Sequence, residues 1–310
     1  MASPQDKAEF MSKRGWILFL ALSLIWGVPY LLIRIAVEDI DPLVVAFGRT
    51  LIGSLLLLPI ALYRGEMAPA LRRWKPLLLF TVVEISGPWL LLGHAETRIN
   101  SSTAGLLIAV VPLITALIVT RLGHERLDSR RLTGLGVGFA GVAALVGLDI
   151  QVADLPAVGA IVLTAVGYAC GPIVVSRKLG DVPPLGVVTG SLIVATLLYL
   201  PFAPLLWPSH IPADAGWSVL GLAVVCTAVA FLVFFALIAE AGPARATVIT
   251  YINPAVALFL GVLVLDEPLT TGMLIGFPLV ILGSILGTSR ARPAPVPRGT
   301  VEERSAVGQG

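Results

Sequence analysis

The chain has 310 residues, 57% of them hydrophobic and 13% charged, with a mean hydropathy of +0.94. A soluble domain carries about 25% charged residues and could not cover this much apolar surface with polar groups. Apolar runs of roughly 18 or more residues recur along the whole length, each long enough to cross a bilayer. The fold class is therefore an all-α polytopic membrane protein.

In chain order, residues 1–15 form a cytoplasmic N-terminal segment and the first span covers 16–37. It follows Lys13 and Arg14 but exceeds a signal-peptide core, so it reads as an uncleaved helix. Spans at 42–63, 75–94, 100–120 and 132–149 complete a first five-helix unit, 16–149. Spans at 155–176, 183–206, 216–238, 245–265 and 270–289 make a second, 155–289. The tail 290–310, RARPAPVPRGTVEERSAVGQG, is Pro-rich and polar and is expected to be disordered.

The pI near 8.7 could suggest a nucleic-acid partner, but the distribution of charge points elsewhere. Assigning the loops alternately to two sides places all but three of the 21 basic residues on one side. The exceptions are Arg98 in an opposite loop and Arg34 and Arg49 within spans. That asymmetry is the positive-inside signal and puts both termini in the cytoplasm.

Sliding the chain by 142 residues aligns Pro42 with Pro184, Pro59 with Pro201, Pro112 with Pro254 and Glu125 with Glu267. Leu127 falls on Leu269, Ala104 on Ala246, Gly134 on Gly276 and Gly141 on Gly283. Each half then holds five spans, and an odd number threads the second copy in the opposite sense. Inverted repeats are the geometry by which many secondary transporters alternate access. Pro112 and Pro254 open corresponding stretches, VVPLITALIVTRLGHERL and INPAVALFLGVLVLDEPLT. Proline removes a helical hydrogen bond, and in lipid the freed carbonyl must face protein or a watery cavity. Paired breaks thus point to a midplane site, with a simple kink as the alternative.

Of 19 acidic residues, only Glu84 lies deep in a span, about nine residues or roughly 13 Å from Lys75. Charged groups at that depth usually face the bundle interior and mark pathways, so Glu84 is a candidate proton carrier. The alternative is a structural carboxyl. Thr81, Gly87 and Pro88 share its face by helical spacing. Arg49 is either the ion-pair partner of Glu84, a contact for an anionic substrate group, or an anchor. Arg34 is expected to reach the interface beside Glu38, Asp39 and Asp41.

Ser23, Trp26, Tyr30 and Arg34 recur at steps of three or four along the first span. At the 142-residue offset Trp26 lands on Tyr168, with Thr164 and Pro172 on the same face. These aromatics are either cavity walls or ordinary packing. Thr250, Tyr251 and Asn253 add polar groups beside Pro254. The glycines at 134 and 138, 272 and 276, and 283 and 287 have small-xxx-small spacing. They suit close packing of the fifth and tenth spans, against each other or across a homodimer.

Cys170 and Cys226 read as small packing residues. The three histidines lie at span ends or loops and no lysine lies in a span, so no metal site and no Schiff base is expected. No phosphate loop or G-x-S-x-G motif occurs. No cofactor and no enzymatic activity are expected.

Trp26-Gly27, Arg49, the stretch NSSTAGLLIAVVPLITALI and the DEPLT ending at Asp266–Thr270 together resemble the EamA-type branch of the drug/metabolite transporter superfamily. RLGHERL in the first half departs from the Asp-Glu-Pro pattern. The resemblance covers about residues 16–289 and implies a ten-helix inverted-repeat fold around a central cavity. It also implies export of amino acids, other metabolites or drugs.

The expectation is an inner-membrane secondary transporter exporting small amphipathic metabolites such as amino acids. Its site would be lined by Trp26, Tyr30, Arg49, Glu84, Tyr168, Tyr251 and Asn253. The alternatives are a flippase for a lipid-linked intermediate and a non-transporting membrane scaffold. The expected partners are a small-molecule substrate and membrane lipids, with no nucleic acid.

Overall fold

A computed structural model describes residues 11–121, 129–242 and 246–288. His124, Glu125, Arg126, Leu127, Arg245 and the 290–310 tail, on which several expectations rest, lie outside the described residues. Every element is helical, and no strand occurs among the described residues. The α-helices are α1 (Lys13–Ile25), α2 (Pro29–Ala36), α3 (Pro42–Tyr63), α4 (Met67–Arg72), α5 (Trp74–Phe80), α6 (Gly87–Glu96), α7 (Ser101–Ile108) and α8 (Val111–Arg121). They continue as α9 (Ser129–Asp149), α10 (Leu155–Val174), α11 (Pro184–Tyr199), α12 (Ala213–Ala223), α13 (Ala230–Ala241), α14 (Asn253–Val264) and α15 (Thr271–Thr288). Among the described residues, seven continuous helical runs are long and apolar enough to cross a membrane, and three shorter apolar helices accompany them.

Local chemistry sets the boundaries. Ser12 caps α1 by accepting from the Gly15 N–H (3.0 Å), and Asp41 caps α3 by accepting from Leu43 (2.9 Å). Asn100 does the same for α7 through Thr103 (3.0 Å). The run expected over 183–206 stops at Tyr199, because Pro201 and Pro204 follow within one turn and a half.

Three runs are interrupted. α1 yields to α2 across Trp26–Val28, α7 to α8 across Ala109–Val110, and a 3-10 turn, Thr247–Tyr251, precedes α14. The restarts carry Pro29, Pro112 and Pro254 in their first turn, where a missing N–H leaves no helical bond unmade. Loosened carbonyls find side-chain donors. Ser284 donates to the Ala109 carbonyl (3.3 Å), and Asn253, with its amide nitrogen turned inward, donates to the carbonyls of Ser23 (3.1 Å) and Ile249 (3.0 Å).

Two other runs contain π-turns at mid-length, Thr81–Ser86 and Val224–Val229. They fall within one residue of the 142-residue offset. In each a hydroxyl reaches back five residues, Ser86 to the Thr81 carbonyl (3.2 Å) and Thr227 to the Leu222 carbonyl (2.8 Å). Such bulges re-aim the side chains around them. Thr81 itself is buried and donates to the Leu77 carbonyl.

α9 and α15 pack backbone to backbone. A Cβ on Gly141 would stand 2.7 Å from the Gly276 carbonyl oxygen, and one on Gly283 would overlap the Gly138 backbone. Gly134 faces Gly287 in the same way. Small residues allow this approach, and in lipid the close van der Waals contact is what drives association. Gly272 has a different use: its N–H donates to Asp149 (3.1 Å), which caps the start of α15 from the end of α9.

Candidate functional site

The site is built around Arg49, on the buried face of α3 with 7% of its surface exposed. Its Nε donates to Thr227 Oγ1 (2.9 Å), in the second π-turn. Its guanidinium carbon stands 3.5 Å from the centre of the Trp89 ring on α6. Among the described residues no carboxylate pairs with it. The ion pair with Glu84 that the sequence allowed is therefore not made. A buried guanidinium carries five donors, and here one hydroxyl and one aromatic face receive it.

Glu84 occupies the first π-turn and lies against α10 at Gly171, where a Cβ would overlap its carboxylate. Its Oε2 is buried without a hydrogen-bond partner. α10 approaches this closely because Thr164, Gly167 and Gly171 recur at helical spacing. Thr164 donates to the Pro88 carbonyl (3.3 Å), and a Cβ on Gly167 would come 2.8 Å from the Pro88 ring. Pro88, one turn after Glu84, likewise packs against α10, at Gly167.

Tyr168, also on α10, lies near the two charges, within electrostatic reach of both Arg49 and Glu84. Tyr30 is buried on α2 beside Gly105 and reaches Arg49, Tyr168 and Glu96 electrostatically. Tyr30, Arg49, Glu84 and Tyr168 thus belong to one cluster. Trp26, Tyr251 and Asn253 belong to another, where the first helical run crosses the 3-10 turn. There Trp26 meets Phe231 edge-on (5.9 Å) and Phe234 (5.0 Å), and Gly27 sits against Val256. Tyr251 closes the 3-10 turn and is half-buried.

Several residues at the site are not apparent from the sequence. Trp89 and Thr227 receive Arg49, and Tyr199 donates to the Ser86 carbonyl (2.6 Å) at the end of the first π-turn. Glu84 is half-buried, and two further acidic residues, Glu96 at the end of α6 and Glu267 after α14, are buried near the ends of their spans. Glu267 accepts from the backbone N–H and hydroxyl of both Ser101 and Ser102, at the start of α7. For Glu96 a signal existed: it continues the buried face of Trp89 and Leu92 at helical steps. Arg34 pairs with Glu38 (3.4 Å) and also donates to the Glu96 carbonyl (2.5 Å).

Two pockets open at the surface, and the second reaches Ser86, Gly87 and Tyr199 at the first π-turn. One of about 480 Å³ is lined by Arg73, Pro76, Ser176, Arg177, Lys178 and Asp181. An apolar groove of about 320 Å³ runs past Leu43, Val82, Leu90, Leu198 and Phe202.

The model of the EamA-like transporter family matches the chain twice, over residues 13–147 and 155–288. The chain belongs to the EamA-like transporter family. It is 30% identical to an uncharacterized inner membrane transporter, YedA, of Escherichia coli K12, over 89% of this chain and 93% of that protein. An uncharacterized transporter, YvbV, of Bacillus subtilis is 25% identical over 94% of this chain and 97% of its own. A probable terminal-alkyne amino-acid exporter of Streptantibioticus cattleyicolor is 23% identical over 89% of this chain and 91% of its own. A crystal structure shares the fold with a TM-score of 0.65 at 21% identity, covering 88% of this chain and 96% of that one. This EamA-family member is thus a membrane transporter built from apolar helices.

Proposed function

We propose that this transporter is a secondary exporter of small amphipathic metabolites such as amino acids, located in an inner membrane with both termini cytoplasmic. The observation that carries the reading is a buried guanidinium without a carboxylate partner, together with a separate carboxyl, that of Glu84, with an unpartnered buried oxygen. Buried charges are normally paired. A zwitterion supplies both missing partners, its carboxylate for Arg49 and its ammonium for Glu84. Tyr30 and Tyr168 would bound its apolar part, and Glu84 would carry a proton when the ammonium is gone. Trp26, Tyr251 and Asn253 would move with the crossing that opens the site. The relative named as a probable amino-acid exporter supports the same substrate class.

Seven long runs and three shorter apolar helices would make ten crossings, arranged as two inverted five-helix repeats around a central cavity. The double family match, the paired π-turns and the paired breaks before Pro112 and Pro254 support the duplication. Two structurally related halves threaded oppositely would provide alternating access. The glycine-packed α9 and α15 would form the rigid frame, within one chain or beside a second protomer.

A flippase is the second reading, favoured by the apolar groove beside α11, which could take an acyl chain. A thermal-shift panel of amino acids and lipid-linked head groups tests both, because a ligand stabilises the state it binds. Stabilisation by amino acids that Arg49→Met abolishes supports the exporter. Stabilisation by lipid head groups alone supports the flippase.

A further inference from the structure

Glu96 ends α6 with its side chain 0% exposed, and neither carboxyl oxygen has a hydrogen-bond partner. It lies twelve residues beyond Glu84, about 18 Å along a helix, so it is a separate group.

Four titratable or charged groups lie within electrostatic reach of it. Arg34 and Tyr30 come from α2, Glu267 from the segment after α14, and Tyr168 from α10. Arg34 is the cation within reach, yet its contacts are the Glu96 backbone carbonyl (2.5 Å) and Glu38 (3.4 Å), not the Glu96 carboxyl. Glu267 is the neighbouring carboxyl, and it takes all four donors offered by Ser101 and Ser102. Two carboxyls therefore share one end of the bundle, and the local donors serve only one of them.

An anion without hydrogen bonds and away from water is far more costly than a neutral acid. A second anion beside Glu267 would add like-charge repulsion at low dielectric. We propose that Glu96 is a proton-binding site, occupied by a proton in this conformation. On release the carboxyl O–H bond breaks, the proton passes to water, and the anion left behind meets the Arg34 guanidinium. In a transporter such a site would take up or deliver protons at the end of the bundle remote from Lys75. That use rests on the transport reading, whereas the proton occupancy does not.

Infrared difference spectroscopy on the purified full-length protein near neutral pH tests the occupancy without any flux assay. Wild type minus Glu96→Gln is expected to contain the carbonyl stretch of a neutral carboxyl, shifted in D2O. Glu84→Gln is expected to retain that Glu96 band. A difference spectrum holding only carboxylate bands would overturn the proposal. So would a neutral-acid band that disappears with Glu84→Gln and survives Glu96→Gln. The amide of Gln reproduces the shape of a neutral acid, so Glu96→Gln is expected to keep the wild-type melting temperature. Loss of folded protein on this exchange would equally contradict the proposal, because the site would then require the anion.

Discussion

Arg49 and Trp89, forty residues apart on neighbouring helices, are stacked with 3.5 Å between the guanidinium carbon and the ring centre. A desolvated cation–π contact contributes about 2 kcal/mol. Against this, holding an unpaired guanidinium out of water costs on the order of several kcal/mol, and an apolar side chain of similar volume removes that cost. Arg49→Met is therefore expected to melt at or above the wild-type temperature while losing amino-acid binding, read by thermal shift with and without ligand. Trp89→Leu, which leaves the guanidinium behind, is expected to lower stability by at least about 2 kcal/mol.

Gly171 is the surface on which the Glu84 carboxyl rests, so a methyl group there must displace it. Gly171→Ala is expected to yield folded protein, since the obstructing atoms include the movable end of one side chain, but with solute flux reduced at least tenfold. Proteoliposome flux beside a melting curve checks this. Unchanged flux would mean that the position of Glu84 is immaterial.

How much of this was legible beforehand depends on how local each signal is. The spacing of Gly134, Gly138, Gly276, Gly283 and Gly287 is written within single helices, and α9 and α15 do pack through those residues. Arg49 and Glu84 stood out because a charge in an apolar run is conspicuous. Their surroundings were not legible. Thr227 lies 178 residues from Arg49, and periodicity carries no information about which helix faces which. The π-turns themselves were hidden, because a 3.6-residue projection assumes one period along the whole run. The stripe of Ser23, Trp26, Tyr30 and Arg34 is cut by the break at Trp26–Val28, which sends Trp26 to the phenylalanines and Tyr30 to Gly105 of α7. Glu96 and Glu267 were missed because proximity to a span end resembles exposure in any hydropathy window.

The glycine seam makes a contrast available within one pair of helices, α9 and α15. A methyl group on Gly283 would strike the Gly138 backbone, whereas one on Gly136 or Gly147 meets nothing within 4 Å. Gly283→Ala is expected to cost roughly 1–3 kcal/mol through overpacking. Gly136→Ala and Gly147→Ala are expected to be neutral or to stabilise by about 0.5–1 kcal/mol through helix propensity. Melting temperatures of the three variants decide it.

Glu267 fastens the segment after α14 to the start of α7 with four hydrogen bonds. Hydrogen bonds to a charged group contribute about 1.5–3 kcal/mol each, and a helix N-terminus favours the negative charge. Glu267→Gln is expected to lower stability by about 2 kcal/mol, and Ser101→Ala with Ser102→Ala by a similar amount. The triple variant is expected to lose much less than the sum, as measured by a double-mutant cycle on denaturation curves.

The central claim is that this EamA-family chain moves small zwitterions past Arg49 and Glu84. The most direct measurement is flux of labelled amino acids in proteoliposomes, run beside a lipid-scrambling assay on the same vesicles. The account predicts saturable flux of at least one amino acid, lost in Arg49→Met and in Glu84→Gln, with no scrambling. Scrambling without amino-acid flux, or flux that both substitutions leave intact, would contradict it.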